Sequence, residues 1–263
     1  MADLEALLGD FAEECADLER IVAPLAATEW TRATPAPGWT IAHQVGHLAW
    51  TDEIATVAAT DAVEFQRLVT EAGPKVLTFV DDAAEEAATA PAAELLDRWH
   101  RGRKALTDAL RAVPAGTKLP WFGPPMSAAS MITARIMETW AHGQDVADTL
   151  GVTREPTARL RTVAHIGVRT RNFAYTVHGK TPPAAEFRVE LTAPDGTTWS
   201  WGPEEAAQRV RGPALDFCLL VTQRRHPDDL AIVATGPDAA EWLTLAQAFA
   251  GPTGAGRTAG QFA

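Results

Sequence analysis

The chain has 263 residues and a mass of 28.1 kDa, with 46% hydrophobic and 22% charged residues, a formal net charge of -11 and a pI of about 5.1. That length makes one large domain or two modest ones, and the composition excludes a disordered chain. So acidic a molecule repels nucleic acid and anionic membrane, and at a mean hydropathy of -0.09 no apolar run approaches the ~20 residues of a membrane helix.

The opening lacks a charged segment followed by an apolar one, so a cytoplasmic protein is expected. Residues 1–26 instead carry Leu4, Leu7, Leu8, Phe11, Cys15, Leu18 and Val22 on one helical face. The Thr34–Gly38 stretch is a break. Thr40 then reads as the N-cap of a helix from Ile41 to about Thr60. Further helices are expected over Asp61–Ala72, within 75–90, and from Pro91 through Leu110. Residues 113–126 hold four prolines and two glycines and form a loop. Ser127 or Ser130 caps a helix that runs through Ile132 and Trp140 to Leu150. One more helix covers Thr157–Val177.

After Gly179 the period changes. Phe187, Val189 and Leu191 alternate with polar residues, Pro194-Asp195-Gly196 is a turn, and Thr197–Trp201 returns as a second strand. A short helix is expected at Pro203–Arg209, a longer one at Arg211–Gln223, a strand at Leu230–Val233 and a last helix at Glu241–Phe249. A flexible tail follows from Gly251. The expected architecture is α+β: a helical bundle over 1–180 and a small α/β module over 181–263, with a boundary near 179–184.

Cys15 and Cys218 lie too far apart for a CxxC motif and read as free thiols in a reducing compartment. The seven histidines say more. His43 and His47 form an HxxxH step on one predicted helix, and Glu138 and His142 an ExxxH step on another. Residues four apart share a helix face, so two such helices can point both pairs into one core. Imidazole and carboxylate suit Zn(II) and related ions, and three ligands with an open position is the catalytic pattern. The same spacing also suits two hydrogen-bonded polar pairs on buried faces.

The stretch PGWTIAHQVGHLAWTDE at 37–53 and the stretch ETWAHGQDV at 138–146 resemble the two signatures of the mycothiol-dependent maleylpyruvate isomerase family, a branch of the DinB-like four-helix bundles. The resemblance covers about residues 5–180. It implies an up-down bundle with a crossover and a metal triad of His47, Glu138 and His142. His43, Asp52 and Asp145 are then expected around the ligands, since carboxylates commonly orient metal-bound imidazoles. The stretch 210–225 is similar to the small sterol-carrier-like module that follows the bundle in the family, with Gln223 where glycine is expected. The WFGPP region looks like an actinobacterial subgroup of unsettled function, so the metal site transfers with the resemblance and the maleylpyruvate substrate does not.

What the resemblance implies is an isomerase or thiol S-transferase. A divalent ion, zinc in the first instance, activates mycothiol or another small thiol against a small acidic or unsaturated metabolite. Water in place of thiol gives a hydrolase. A protein that only stores metal or binds a small ligand is the reading from another class. Arg135, Arg169 and Arg225 are candidate clamps for an acidic substrate, and Trp121 a candidate pocket wall. A small-molecule substrate is the expected partner, with no nucleic acid or membrane, and the chain is expected to be a monomer or homodimer.

Overall fold

A computed structural model describes residues 3–73 and 78–262. The chain divides into two compact units, Met1–Thr153 and Arg154–Ala263. The division falls earlier than the sequence boundary near 179–184, because α7 (Leu160–Arg169) packs on α9 (Ala214–Val221) inside the second unit. Gly167 makes that contact close: a Cβ there would sit 2.7 Å from the Val221 side chain.

The first unit is built on four long helices, α1 (Leu4–Val22), α2 (Ile41–Thr60), α5 (Ala92–Ala112) and α6 (Ala128–Leu150), with α3 (Ala62–Ala72) and α4 (Phe79–Ala88) between α2 and α5. Of the expected stretches, residues 1, 2 and 74–77 lie outside the described residues. α1 packs chiefly on α6, and α2 on α5, α4 and α6. α2 is the central helix, and it is buried on nearly every side rather than along one stripe. Gly46 lets α4 approach it, since a Cβ there would meet the Ala87 Cβ at 2.7 Å. Ser127 caps α6 by accepting from the Ser130 N–H at 3.1 Å. Gly151, at φ 68°, ends the same helix in the left-handed region that glycine enters without a steric penalty. Both ends of the helix that carries Glu138 and His142 are therefore fixed by the residues the sequence places there.

The second unit joins α7, α8 (Arg171–Val177), α9 and α10 (Pro237–Leu245) to a four-stranded sheet of order β2-β1-β3-β4. β1 (Phe187–Thr192) pairs antiparallel with β2 (Thr198–Trp201) and parallel with β3 (Gln208–Pro213), and β3 pairs antiparallel with β4 (Val233–Thr235). Phe187, Val189, Leu191 and Val210 are buried, and Trp242 of α10 meets Phe187 and Phe217 edge-on.

Six expectations change here. The single helix at Thr157–Val177 is two, broken at Thr170. The helix at Pro203–Arg209 is a turn leading into β3, because strand pairing on both sides of Val210 outweighs the helical composition of Glu204–Ala206. The helix expected from Arg211 starts only at Ala214, after Pro213 closes the strand. The last strand begins at Val233, and the last helix runs from Pro237 to Leu245 rather than to Phe249. The tail is held: the Gly260 N–H donates to the Asp229 carboxylate, and the Arg225 guanidinium lies 4.2 Å over the Phe262 ring.

Candidate metal centre

α2 and α6 bring both spaced pairs toward one point. His142 Nε2 lies 3.1 Å from Glu138 Oε2, and His47 Nε2 lies 3.7 Å from the same oxygen. The three ligand-type atoms all fall within 4.8 Å of one another. A tetrahedral ion with bonds near 2.0–2.1 Å separates its donors by about 3.3–3.5 Å, so these atoms stand close to coordinating distance. His47 is 8% and His142 9% exposed, and their rings are 4.6 Å apart.

The electrostatics agree. Burial pushes the Glu138 carboxyl up, but hydrogen bonds and charge from His142 and His47 outweigh it, and the group is held well below the usual carboxylate range. An ionised carboxylate between two imidazoles is a donor set that suits a divalent ion. His142 Nδ1 meets Gln44 Oε1 at 2.5 Å, on the side of the ring away from Glu138. The Trp39 indole stacks on His142 at 5.8 Å and lies 5.3 Å from His47, covering both rings.

His43 is turned elsewhere. Its Nδ1 accepts from the Thr40 N–H at 3.3 Å, and its Nε2 donates to Glu85 Oε2 at 2.7 Å. Both nitrogens are engaged, so among the described residues three donor groups converge and His43 does not join them. A cleft of about 590 Å³ opens beside it, lined by Trp39, His43, Asp81, Asp82, Glu85 and Glu86.

Asp52 does not orient an imidazole. It is fully buried and accepts from Arg135 Nε at 2.9 Å, while His47 Nδ1 is buried without a hydrogen-bond partner. Arg135 is 2% exposed, so it is neither a substrate clamp nor a surface charge: it neutralises Asp52 inside the bundle. Asp145 is fully buried one turn beyond His142. Trp121 stacks on Phe65 at 5.9 Å and meets Phe122 edge-on, within a ring cluster that continues through Phe79 and Trp50 to His47. Arg169 ends α7 and Arg225 follows α9, both in the second unit. Cys15 and Cys218 are buried free thiols, pushed up by burial. Sequence reasoning missed Gln44 and Trp39. Gln44 lies inside the HQVGH run but is not a metal donor, and Trp39 reads as packing.

A helical bundle with two histidines and a glutamate converging from two helices defines the class. Residues 11–147 match the sequence model of the mycothiol maleylpyruvate isomerase N-terminal domain, and the chain belongs to that family. Residues 183–235 match a second model, described as wyosine base formation. The crystal structure of the mycothiol-dependent maleylpyruvate isomerase shares the fold at a TM-score of 0.61 and 16% identity, covering 90% of this chain and 95% of that one. A histidine-to-alanine mutant of that enzyme aligns at a TM-score of 0.60. Two proteins of Mycobacterium tuberculosis strains, uncharacterized protein MT0041 and uncharacterized protein Rv0036c, are each 59% identical over 257 residues, 98% of this chain and all of theirs.

Proposed function

We propose that the chain is a metal-dependent enzyme of the mycothiol-dependent isomerase or transferase type, with His47, Glu138 and His142 as the ligands of a divalent ion, zinc in the first instance. The observation that carries this reading is the convergence of three donors, and only three among the described residues, on the domain the family shares. Structural zinc sites are closed by four ligands, whereas catalytic ones keep a position open. That favours an enzyme over a metal store.

An ion in this site would supply Lewis acidity that makes a coordinated thiol or water ionised near neutral pH. The chain's own residues do the rest. Glu138 brings the negative charge that the two neutral imidazoles lack. Trp39 covers the imidazoles and limits water on that side. The WFGPP loop adds Trp121 and Phe122 to an apolar wall that continues to His47 through Phe79 and Trp50. That wall suits the carbon skeleton of an unsaturated metabolite. The four carboxylates of the cleft beside His43 oppose an acidic substrate entering there, so unsaturation rather than acidity is the property retained.

The test is turnover of a panel of small unsaturated compounds by zinc-loaded protein, with mycothiol, with another small thiol and with none. Turnover that requires thiol and disappears in His142→Ala is expected. Turnover without thiol would mean hydrolysis. A zinc-loaded protein inert in every combination, bearing a fourth protein ligand in its metal spectrum, would overturn the enzyme reading.

A further inference from the structure

We infer that Gln44 is a positioning residue that fixes the proton of His142 on Nδ1 and so keeps its Nε2 lone pair turned toward Glu138 and His47. The positioning role rests on the triad being a metal centre, as proposed above.

The direction of each hydrogen bond follows from the far end of a short chain. The Trp39 carbonyl oxygen can only accept, and Thr34 Oγ1 donates its one proton to it at 2.9 Å. Thr34 Oγ1 must then accept from its other neighbour, Gln44 Nε2, which stands 2.9 Å away. With the amide nitrogen committed to Thr34, the amide oxygen faces His142, at 2.5 Å from Nδ1. An amide oxygen has no proton to give, so Nδ1 must carry one. A neutral His142 is therefore unprotonated at Nε2, and its hydrogen bond to Glu138 Oε2 at 3.1 Å forms only when the ring carries a second proton.

The chain also explains a polar side chain in the core. Gln44 is fully buried on the central helix, where an unpaired amide costs several kcal/mol. Its two polar atoms are both used, one on the candidate ligand and one on the Thr34–Trp39 turn. That turn is closed by the Thr34 N–H bond to the Trp39 carbonyl at 2.7 Å, and its Trp39 ring stacks on the same His142. The ring is thus held at its edge by Gln44 and on its face by Trp39. Outer hydrogen bonds of this kind typically change metal affinity by about 10–100-fold.

Two readouts test the role. In metal-free, 15N-labelled protein, long-range imidazole spectra should show His142 Nδ1 protonated, with the signal assigned by its loss in His142→Ala. A neutral ring carrying its proton on Nε2 alone would overturn the inference, whether or not any variant folds. In zinc competition against a chromophoric chelator, Gln44→Leu should bind about 10–100-fold more weakly than wild type. Gln44→Glu keeps the acceptor toward Nδ1 but loses the donor to Thr34 Oγ1, and should bind zinc more tightly than Gln44→Leu. Equal zinc affinity in wild type and folded Gln44→Leu would overturn the role and leave the triad standing. If wild type binds no zinc, the triad reading fails by itself, and the Nδ1 proton still decides the hydrogen bond.

Discussion

The bundle holds two buried charged assemblies between α2 and α6, and they are built to opposite ends. Asp52 and Arg135 form a closed pair, one charge of each sign, both almost wholly out of solvent. His47, Glu138 and His142 set one carboxylate against two rings that can both be neutral. The carboxylate groups respond in opposite senses. Burial pushes the Asp52 carboxyl up against the lowering by Arg135, and its Oδ2 has no hydrogen-bond partner. Glu138 is held down because two imidazoles meet it. The pair balances its charge within itself, with one carboxylate oxygen left unmet; the triad leaves a negative charge that a cation would complete.

The largest effect should come from opening the closed pair. Arg135→Met leaves Asp52 buried and uncompensated, and should cost about 3–5 kcal/mol in urea unfolding. Asp52→Leu combined with Arg135→Met should recover most of that, because no lone charge remains. A single substitution as mild as the double one would show that the pair is not the closed unit described here.

The triad should behave in reverse. Whatever stability His142→Ala keeps in chelator, it should lose the further stabilisation that zinc gives wild type, about 2.7 kcal/mol at a hundredfold excess over Kd. Zinc-dependent melting retained in that variant would break the contrast.

His43→Ala should keep zinc binding and lose about 1 kcal/mol from the start of α2, since His43 serves Thr40 and Glu85. A loss of zinc as large as in His142→Ala would return His43 to the ligand set.

The smallest effect is in pH. A carboxyl held below its unfolded value contributes stability above that value, and loses it as pH falls through the folded one. In metal-free protein, the stability gap between wild type and Glu138→Gln should therefore narrow on acidification from neutral pH through the ordinary carboxylate range. A gap that widens there would mean that Glu138 is not ionised between the histidines.

The sequence makes the triad legible because i,i+4 spacing converts directly into a shared helix face, and two motif stretches bring the faces together. It does not reveal partners. Asp52 and Arg135 lie 83 positions apart in the chain, and only the packing of α2 on α6 shows that they neutralise each other. Gln44 is silent for a related reason: an amide has no ligand chemistry until a ring nitrogen and a threonine hydroxyl are placed on either side of it. In the second unit, Pro203–Arg209 has helical composition, and the pairing of β3 with β1 and β4, set by residues distant in sequence, makes it a turn and a strand instead.

The most direct measurement is the metal content of untagged wild-type protein beside His142→Ala, by elemental analysis, with melting before and after chelator. The account predicts one divalent ion per wild-type chain, little in the variant, and a lower melting temperature once the ion is removed. Wild-type protein that carries no metal and gains no stability from added zinc would contradict it, and would make His47, Glu138 and His142 a hydrogen-bonded core like the pair beside them.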